Sequence, residues 1–414
     1  MESTTSTNLQ IVRKSVRQIV FRVKKARAHS TEPIRVLRIA HASLTPALRG
    51  RERGIALRFP EIEMEVITAP RWLEAGIDTE TVSSDLFPVH TARTFFSKHM
   101  QLFAYDPRPI IKALRRHRPH IIDMDHEPYS VPCAEVISLR NRCAPTTPIV
   151  MQAAQNIYKD YPLPFSLLEK RALKQIDAAY MCSEAARDVL REKGFDKPTR
   201  IVPFGVDTEM FRCDEKCEPQ ETFTIGYVGR LLPAKGLMVL AESLTKIKEE
   251  KWRLLVVGSG EEKEKMERLF AENGLLERVH FVGAVPYEKT PEYFRQIDVL
   301  VVPTRTTSKI REQFGRVIIE AMACGTPVIG STSGAIPEVI GEAGIVFPEN
   351  DPEFLAAELR YVMKNRQLLA KLARAGKRRV ENNYTWQRVA EGIHSLYRET
   401  LWRKAAAEGK KFVL

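Results

Sequence analysis

Apolar and polar positions along this chain follow two periods, and the switches between them predict its elements. In the first half, short apolar runs near 34–40, 63–68, 119–124, 147–152, 178–182 and 200–203 read as strands. Between them, stretches near 107–118, 129–142, 164–176 and 183–194 repeat at helical spacing. Residues 84–105 fit neither pattern and read as a surface loop. The second half repeats the alternation, with runs at 223–228, 253–257, 279–282, 299–302, 327–330 and 345–347. These runs are rich in Val, Ile and Leu and end at Gly or Pro, which is how buried parallel strands read. Helical patterns then fill 352–364, 366–381 and 385–404. Alternation of this kind predicts α/β architecture: two doubly wound domains facing one another, with ligands at the carboxyl ends of the strands in the cleft between them.

The boundaries follow from composition. Residues 1–33 form an N-terminal extension, 34–204 a first Rossmann-like domain, and 205–221 a charged connection. Residues 222–384 form the second Rossmann-like domain, and 385–414 a C-terminal helix expected to cross back toward the first. A chain of 414 residues is too long for one core. Within the extension, Val12, Val16, Ile19, Val20 and Val23 share one helical face, and Arg13, Lys14, Arg17, Lys24 and Lys25 the other, with Phe21 and Arg22 breaking the segregation. A basic amphipathic helix over 11–27 can lie on an anionic bilayer. The same residues could instead pack their valines on the protein body, or form a leader.

Charge sharpens this. Residues 1–200 hold 32 Lys+Arg against 22 Asp+Glu, whereas 201–414 hold 32 against 30. The surplus in the first half predicts an anionic partner: a membrane surface, a nucleic acid or an acidic acceptor. Lys112, Arg115, Arg116 and Arg118 add a basic cluster there, read by default as a solvated helix face. No apolar run reaches 18 residues, and the opening residues lack a secretory pattern, so the expected location is cytoplasmic. Six scattered cysteines suit a reducing compartment, and Cys213-x-x-x-Cys217 lacks the second pair a zinc site needs.

The chemistry concentrates in the second half. Glu312-Gln-Phe-Gly-Arg-Val-Ile-Ile-Glu320 places one carboxylate before a predicted helix and another inside it, with Gly325 as the stop signal. Gly315 to Glu320 spans roughly 7–8 Å along the helix, about the length of a diphosphate. The N–H groups of Phe314, Gly315 and Arg316 would face its phosphates. After the strand at 223–228 comes Gly229-Arg230-Leu-Leu-Pro233-Ala-Lys235-Gly236. Gly229 allows close backbone approach, Pro233 can open a helix, and Arg230 and Lys235 set two cations where a leaving diphosphate gathers charge. It is not a P-loop, which ends in Gly-Lys-Ser/Thr.

These motifs occur in series. Gly229-Arg230…Lys235-Gly236, Val257-Gly-Ser-Gly260, Phe281-Val-Gly283, Asp298…Pro303, Glu312-x7-Glu320 and Ser333-Gly334-Ala-Ile-Pro337-Glu338 follow one another. In order and spacing the series resembles the family 4 glycosyltransferases. Pro203-Phe-Gly205-Val-Asp207…Phe211 is similar to that family's interdomain signature. The resemblance implies the GT-B fold and transfer from a nucleotide-sugar to a carbohydrate or glycolipid acceptor, with retention at the anomeric carbon. It implies that Gly229, Arg230 and Lys235 hold the diphosphate, Glu320 the ribose, Glu312 the sugar hydroxyls, and Phe314 and Gly315 backbone donors. Gly283 and Ala284 would lie by the nucleobase. His126, in Asp123-Met-Asp-His-Glu-Pro128, resembles the family's histidine facing the donor sugar. Asp123-x-Asp125 is a literal DxD metal signature, read here as a decoy, because Arg230, Lys235 and a helix end would replace the metal. The usual Gly-rich loop after the first strand is missing: His41-Ala-Ser-Leu-Thr-Pro46 stands there, with Gly delayed to Gly50 and Gly54. A role for Ser43 or Thr45 there is weak, so acceptor-binding residues stay unassigned.

Two other readings remain open at this point. One is a nucleotide-sugar epimerase or hydrolase on the same fold. The other is a basic membrane- or nucleic-acid-binding protein that retains an inactive transferase body. The second is disfavoured, because no aromatic-basic interleaving marks a nucleic-acid surface.

Overall fold

The computed structural model describes residues 33–74, 77–212 and 222–410. The amphipathic segment 11–27 and the pair Cys213 and Cys217 therefore lie outside the described residues. The chain divides into two compact units. Unit 1 comprises residues 1–181, 190–202 and 389–414; unit 2 comprises 182–189 and 203–388.

Unit 1 opens with β1 (Ile34–Ile39), α1 (Gly50–Arg58) and β2 (Ile62–Thr68). Two antiparallel hairpins follow, β3 (Arg71–Glu74) with β4 (Ile77–Glu80), and β6 (Thr94–Phe95) with β7 (Ala104–Tyr105). Between them lies β5 (Val89–Thr91). Then come α2 (Pro107–His117), β8 (Ile121–Met124), α3 (Val131–Cys143), β9 (Ile149–Ala153), α4 (Phe165–Gln175), β10 (Ala178–Met181) and β11 (Thr199–Ile201); the intervening α5 (Glu184–Glu192) is divided, its residues up to Val189 belonging to unit 2. The sheet is parallel, in the order β11-β10-β9-β8-β1-β2-β5. Strands β1, β8, β9 and β10 are buried almost throughout, as unbroken apolar runs predict.

The segment 84–105 departs from the surface-loop reading. It contributes the sheet-edge strand β5, paired with β2 from Val66↔Val89 to Thr68↔Thr91, and the β6–β7 hairpin. With two or three residues per strand, neither shows a readable period. Helix α1 was also invisible, because its Gly-rich, charged sequence carries no apolar stripe, and yet it buries Ile55 and Ala56.

Unit 2 runs β12 (Phe223–Val228), α6 (Leu237–Thr245), β13 (Trp252–Val257), α7 (Lys263–Glu272), β14 (Val279–Gly283), α8 (Thr290–Phe294) and β15 (Val299–Val302). It continues through α9 (Arg316–Ala323), β16 (Val328–Ser331), α10 (Ile336–Ile340), β17 (Ile345–Phe347), α11 (Pro352–Lys364) and α12 (Arg366–Asn383). Its parallel sheet has the order β14-β13-β12-β15-β16-β17, the doubly wound arrangement of dinucleotide-binding folds. The last helix, α13 (Trp386–Ala407), belongs from Val389 onward to unit 1.

In both sheets the strand order reverses beside the first strand: between β1 and β8 in unit 1, and between β12 and β15 in unit 2. A crevice forms outside the carboxyl ends of such strand pairs. His41 and Asp125 follow β1 and β8; Gly229 and Pro303 follow β12 and β15. Among the described residues no helix is long and apolar enough to cross a membrane.

Candidate active site

The residues after β12 and β15 converge in unit 2. Pro233–Lys235 forms a single 3-10 turn, and Gly236, with φ of 70°, redirects the chain into α6. Pro233 therefore opens a separate turn, and the helix proper starts at Leu237. That turn aims Lys235 at the loop after β15. Lys235 Nζ donates to Glu312 Oε2 at 2.6 Å, and Thr304 Oγ1 donates to the same oxygen at 3.2 Å. The pair is about a quarter to an eighth exposed, so it faces solvent without being bathed in it.

Glu312 is held by its backbone as well. Its carbonyl accepts from Ala335 N–H at 3.0 Å, and a Cβ on Gly334 would come within 2.0 Å of that carbonyl oxygen. With φ of 56° at Gly334, only glycine lets the two loops approach this closely. Gly315, with φ of 82°, then starts α9 and supplies no side-chain cap to its first N–H groups. A helix start without a side-chain cap attracts anions. Phe314 is buried, its ring edge-on to Phe204 and Tyr384, so it offers the site only backbone. The helix ends at Cys324, and Gly325 takes φ of 69°, the stop its position suggested.

Glu320 lies inside α9 and is buried. Tyr287 Oη donates to its Oε1 at 3.1 Å and accepts from Arg316 Nη2 at 3.1 Å. Burial raises the Glu320 pKa; Arg316 and the Tyr287 hydrogen bond pull it back, leaving it above the usual carboxylate value. Arg230 is exposed, its carbonyl accepting from Tyr227 Oη at 2.7 Å. Gly229 N–H donates to Val257 O at 2.9 Å, and its own carbonyl lies where a Cβ on Gly258 would be, so β12 and β13 end in close backbone contact. Gly283 has φ of 87° at the end of β14, and Ala284 is exposed just beyond it.

Unit 2 thus brings together Lys235 and Glu312, with Arg230 and the α9 start on the same switch-point loops. Sequence reasoning missed Thr304, Tyr287 and the side chain of Arg316. Thr304 was detectable as a hydroxyl following the β15 apolar run, and Arg316 as the partner of Glu320 four positions on. Tyr287 carried no local signal.

His126 lies in unit 1, past the end of β8, in an aromatic nest. Its ring stacks on His41 at 5.7 Å between centroids, Phe103 meets it edge-on, and Tyr105 Oη lies 3.2 Å from Nε2. Burial, with His41 alongside, pushes its pKa down to about 3, so the ring is neutral near pH 7. The Asp123 carboxylate, within β8, is fully engaged. It accepts from Arg38 Nη1 at 2.6 Å, from Tyr180 Oη at 3.1 Å, and from Tyr397 Oη of α13. Arg38, itself buried, also bonds Glu52 and Gln152 and reaches Asp125 at 3.4 Å. Ser43 Oγ donates to Glu52 at 3.0 Å, so it braces this buried network.

The family model described as "Glycosyltransferase Family 4" matches residues 56–210, and "Glycosyl transferases group 1" matches 214–379. D-inositol 3-phosphate glycosyltransferase of Geodermatophilus obscurus is 29% identical over 246 residues, 54% of this chain and 53% of that protein. MMP alpha-(1->4)-mannosyltransferase of Mycolicibacterium hassiacum is 29% identical over 249 residues, 58% of this chain and 59% of that protein. The chain spans about half the length of the curated relatives it matches. Among solved structures, Anabaena HepE in complex with UDP superposes with a TM-score of 0.69 at 15% identity, covering 88% of this chain and 100% of that one. Sucrose-phosphate synthase from Thermosynechococcus elongatus gives 0.65 at 21% identity, covering 88% and 98%. These likenesses carry the fold, which is that of the GT-B glycosyltransferases. With both family models matched in succession and the motif series in place, the chain belongs to glycosyltransferase family 4.

Proposed function

We propose that the protein is a retaining glycosyltransferase. It takes a sugar from a nucleoside-diphosphate sugar and passes it to a carbohydrate or glycolipid acceptor, in envelope polysaccharide or glycolipid synthesis. The observation that carries this reading is the Lys235–Glu312 pair at the switch point of unit 2, on the loops that also carry Arg230 and lead into α9. Lys235 and Arg230 stabilise the diphosphate as its bond to the sugar breaks. Glu312 accepts hydrogen bonds from sugar hydroxyls and Glu320 from the ribose, while Gly283 and Ala284 border the base. In unit 1, His126 is held neutral, so it can donate or accept a hydrogen bond without adding a charge.

The reaction is read as metal-independent. Two cations and a helix start supply the charge a metal would bring, and the Asp123 carboxylate of the DxD is already engaged by Arg38, Tyr180 and Tyr397. The same proposal places the protein in the cytoplasm, peripheral on the inner face of the membrane through residues 11–27, with no nucleic-acid partner. Removal of residues 1–28 should lower its recovery with anionic vesicles; unchanged recovery rules that segment out.

The test of function is calorimetric titration with UDP-, GDP- and ADP-sugars, then product analysis with and without acceptor mixtures. Binding of one class, acceptor-dependent turnover and retained anomeric configuration are expected. Turnover that ignores acceptor would favour the hydrolase or epimerase reading, and absence of binding to every donor would overturn both.

A further inference from the structure

The β6–β7 hairpin of unit 1 presents eight consecutive exposed residues, Phe95 to Leu102. Four of them, Phe95, Phe96, Met100 and Leu102, are large and apolar, and Phe96 is 77% exposed. A soluble surface seldom concentrates apolar side chains in this way without a partner. The tip is held in shape. Phe96 adopts φ of 58°, a left-handed conformation costly for a bulky residue. His99 N–H donates to Phe96 O, Leu102 N–H to His99 O, and Val131 N–H to Gln101 O. Phe103, the next residue, anchors the loop by burying its ring against Trp72, His41 and His126. Leu73, beside Trp72 in the neighbouring hairpin, is exposed as well.

Cations adjoin this tip. The Arg93 guanidinium lies over the Phe95 ring at 5.3 Å, and Arg93 O accepts from Asp106 N–H, which joins the hairpin to the start of α2. From there a groove of about 490 Å³ runs between α2 and the edge strand β5, lined by Arg108, Lys112 and Arg116 at four-residue spacing and by His90. Asp106 pairs with Arg108, and Glu65 with Arg116 and His90. Lys98 at the tip and Lys112 in the groove make no ion pair among the described residues.

We propose that this surface is a bilayer-docking site: Phe95, Phe96, Met100 and Leu102 enter the headgroup–acyl boundary, and Lys98, Lys112 and their neighbours bind anionic lipid headgroups. Exposed apolar side chains flanked by cations that make no ion pair among the described residues match an anionic interface on both counts. A second copy of the chain fits poorly, since a symmetric contact would set these cations against themselves. The site lies apart from residues 11–27 and would be a second membrane contact. If the proposed transfer reaction holds, Phe103 connects the docked tip directly to the His126 nest, which favours a lipid-borne acceptor.

The full chain is tested by co-sedimentation with phosphatidylglycerol/phosphatidylcholine vesicles and with phosphatidylcholine alone, without donor or turnover, so failure here leaves the donor chemistry untouched. Wild-type protein should sediment with the anionic vesicles. Phe96→Ser/Met100→Ser and, separately, Lys98→Glu/Lys112→Glu should each lower the bound fraction roughly fivefold, with unchanged circular dichroism. Phe96→Trp should shift its emission to the blue on vesicle addition and be quenched by brominated lipid. Binding that is absent in the wild type, or unaltered in both double variants with no shift for Phe96→Trp, overturns the proposal. Concentration-dependent self-association lost in Phe96→Ser/Met100→Ser, without vesicle binding, would make the surface a protein interface and overturn it too.

Discussion

Lys235 and Glu312, 77 positions apart, meet at 2.6 Å because the turn after β12 and the loop after β15 both end at the strand-order reversal of unit 2. Each orients the other, and Thr304 fixes the carboxylate from a third side. On the proposed assignment, Lys235→Ala removes the cation that stabilises the leaving diphosphate, and Glu312→Ala removes the acceptor for sugar hydroxyls. Both should lower kcat/KM by about 10²–10³-fold. The pair is partly solvated, so either change should cost only about 1 kcal/mol of stability. Steady-state assays alongside urea unfolding would check this, and wild-type activity in both variants would remove these residues from the site.

Glu320 is assigned to the ribose, and its arrangement gives a prediction separable from chemistry. Tyr287 Oη donates to its carboxylate and in turn accepts from Arg316. Glu320→Gln keeps the shape but replaces a charged acceptor, so free nucleotide should bind about tenfold more weakly. Tyr287→Phe should have a smaller effect in the same direction. Calorimetry with the nucleoside diphosphate of the best donor decides it; equal affinity for all three proteins would detach Glu320 from the ribose role.

Much of the fold is legible in the sequence. The strands of unit 2 were legible because buried parallel strands are continuous runs of Val, Ile and Leu. The helix carrying Glu320 was legible from its apolar spacing and from Gly325 as its stop. What escaped was non-local or short. Nothing near Tyr287 in the sequence reports Glu320, 33 positions away. Strand β5 is too brief for a period, and α1 lacks an apolar stripe. The DxD was readable as a string, but only the fold reveals Arg38, 85 positions from Asp123, engaging its carboxylate.

Asp123 also explains how α13 is tied into unit 1. Tyr397 Oη donates to the Asp123 carboxylate, which lies fully buried with Arg38 and Tyr180. Tyr397→Phe leaves the ring and removes one donor to a buried charge, a loss of about 1.5–3 kcal/mol. Arg38→Met should be worse, about 3–5 kcal/mol, because Asp123 and Glu52 lose their shared cation. Chemical denaturation should therefore order the proteins wild type, Tyr397→Phe, Arg38→Met. A Tyr397→Phe protein as stable as wild type would mean the hydrogen bond adds nothing to the packing of its ring.

Glu127, next to His126, carries a pH dependence whose sign can be worked out. Burial raises its pKa, the N–H donors of Ala154 (2.8 Å) and Gln155 (3.1 Å) offset part of that, and the value settles at about 7. Below about pH 4.5 the group is protonated in folded and unfolded chains alike and costs nothing. Between there and pH 7 the unfolded chain releases its proton first, so stability falls; above about pH 7 the loss is complete. A displacement of this size corresponds to at most about 3 kcal/mol. Glu127→Gln keeps the oxygen that Ala154 and Gln155 address and abolishes the titration. Its stability advantage over wild type should therefore grow between about pH 5 and pH 7 and then level off. The His126 contribution runs the opposite way with pH, but it is common to both proteins and largely cancels in the difference. Urea unfolding of the pair across this range measures it, and a difference independent of pH would show that Glu127 titrates normally in the fold.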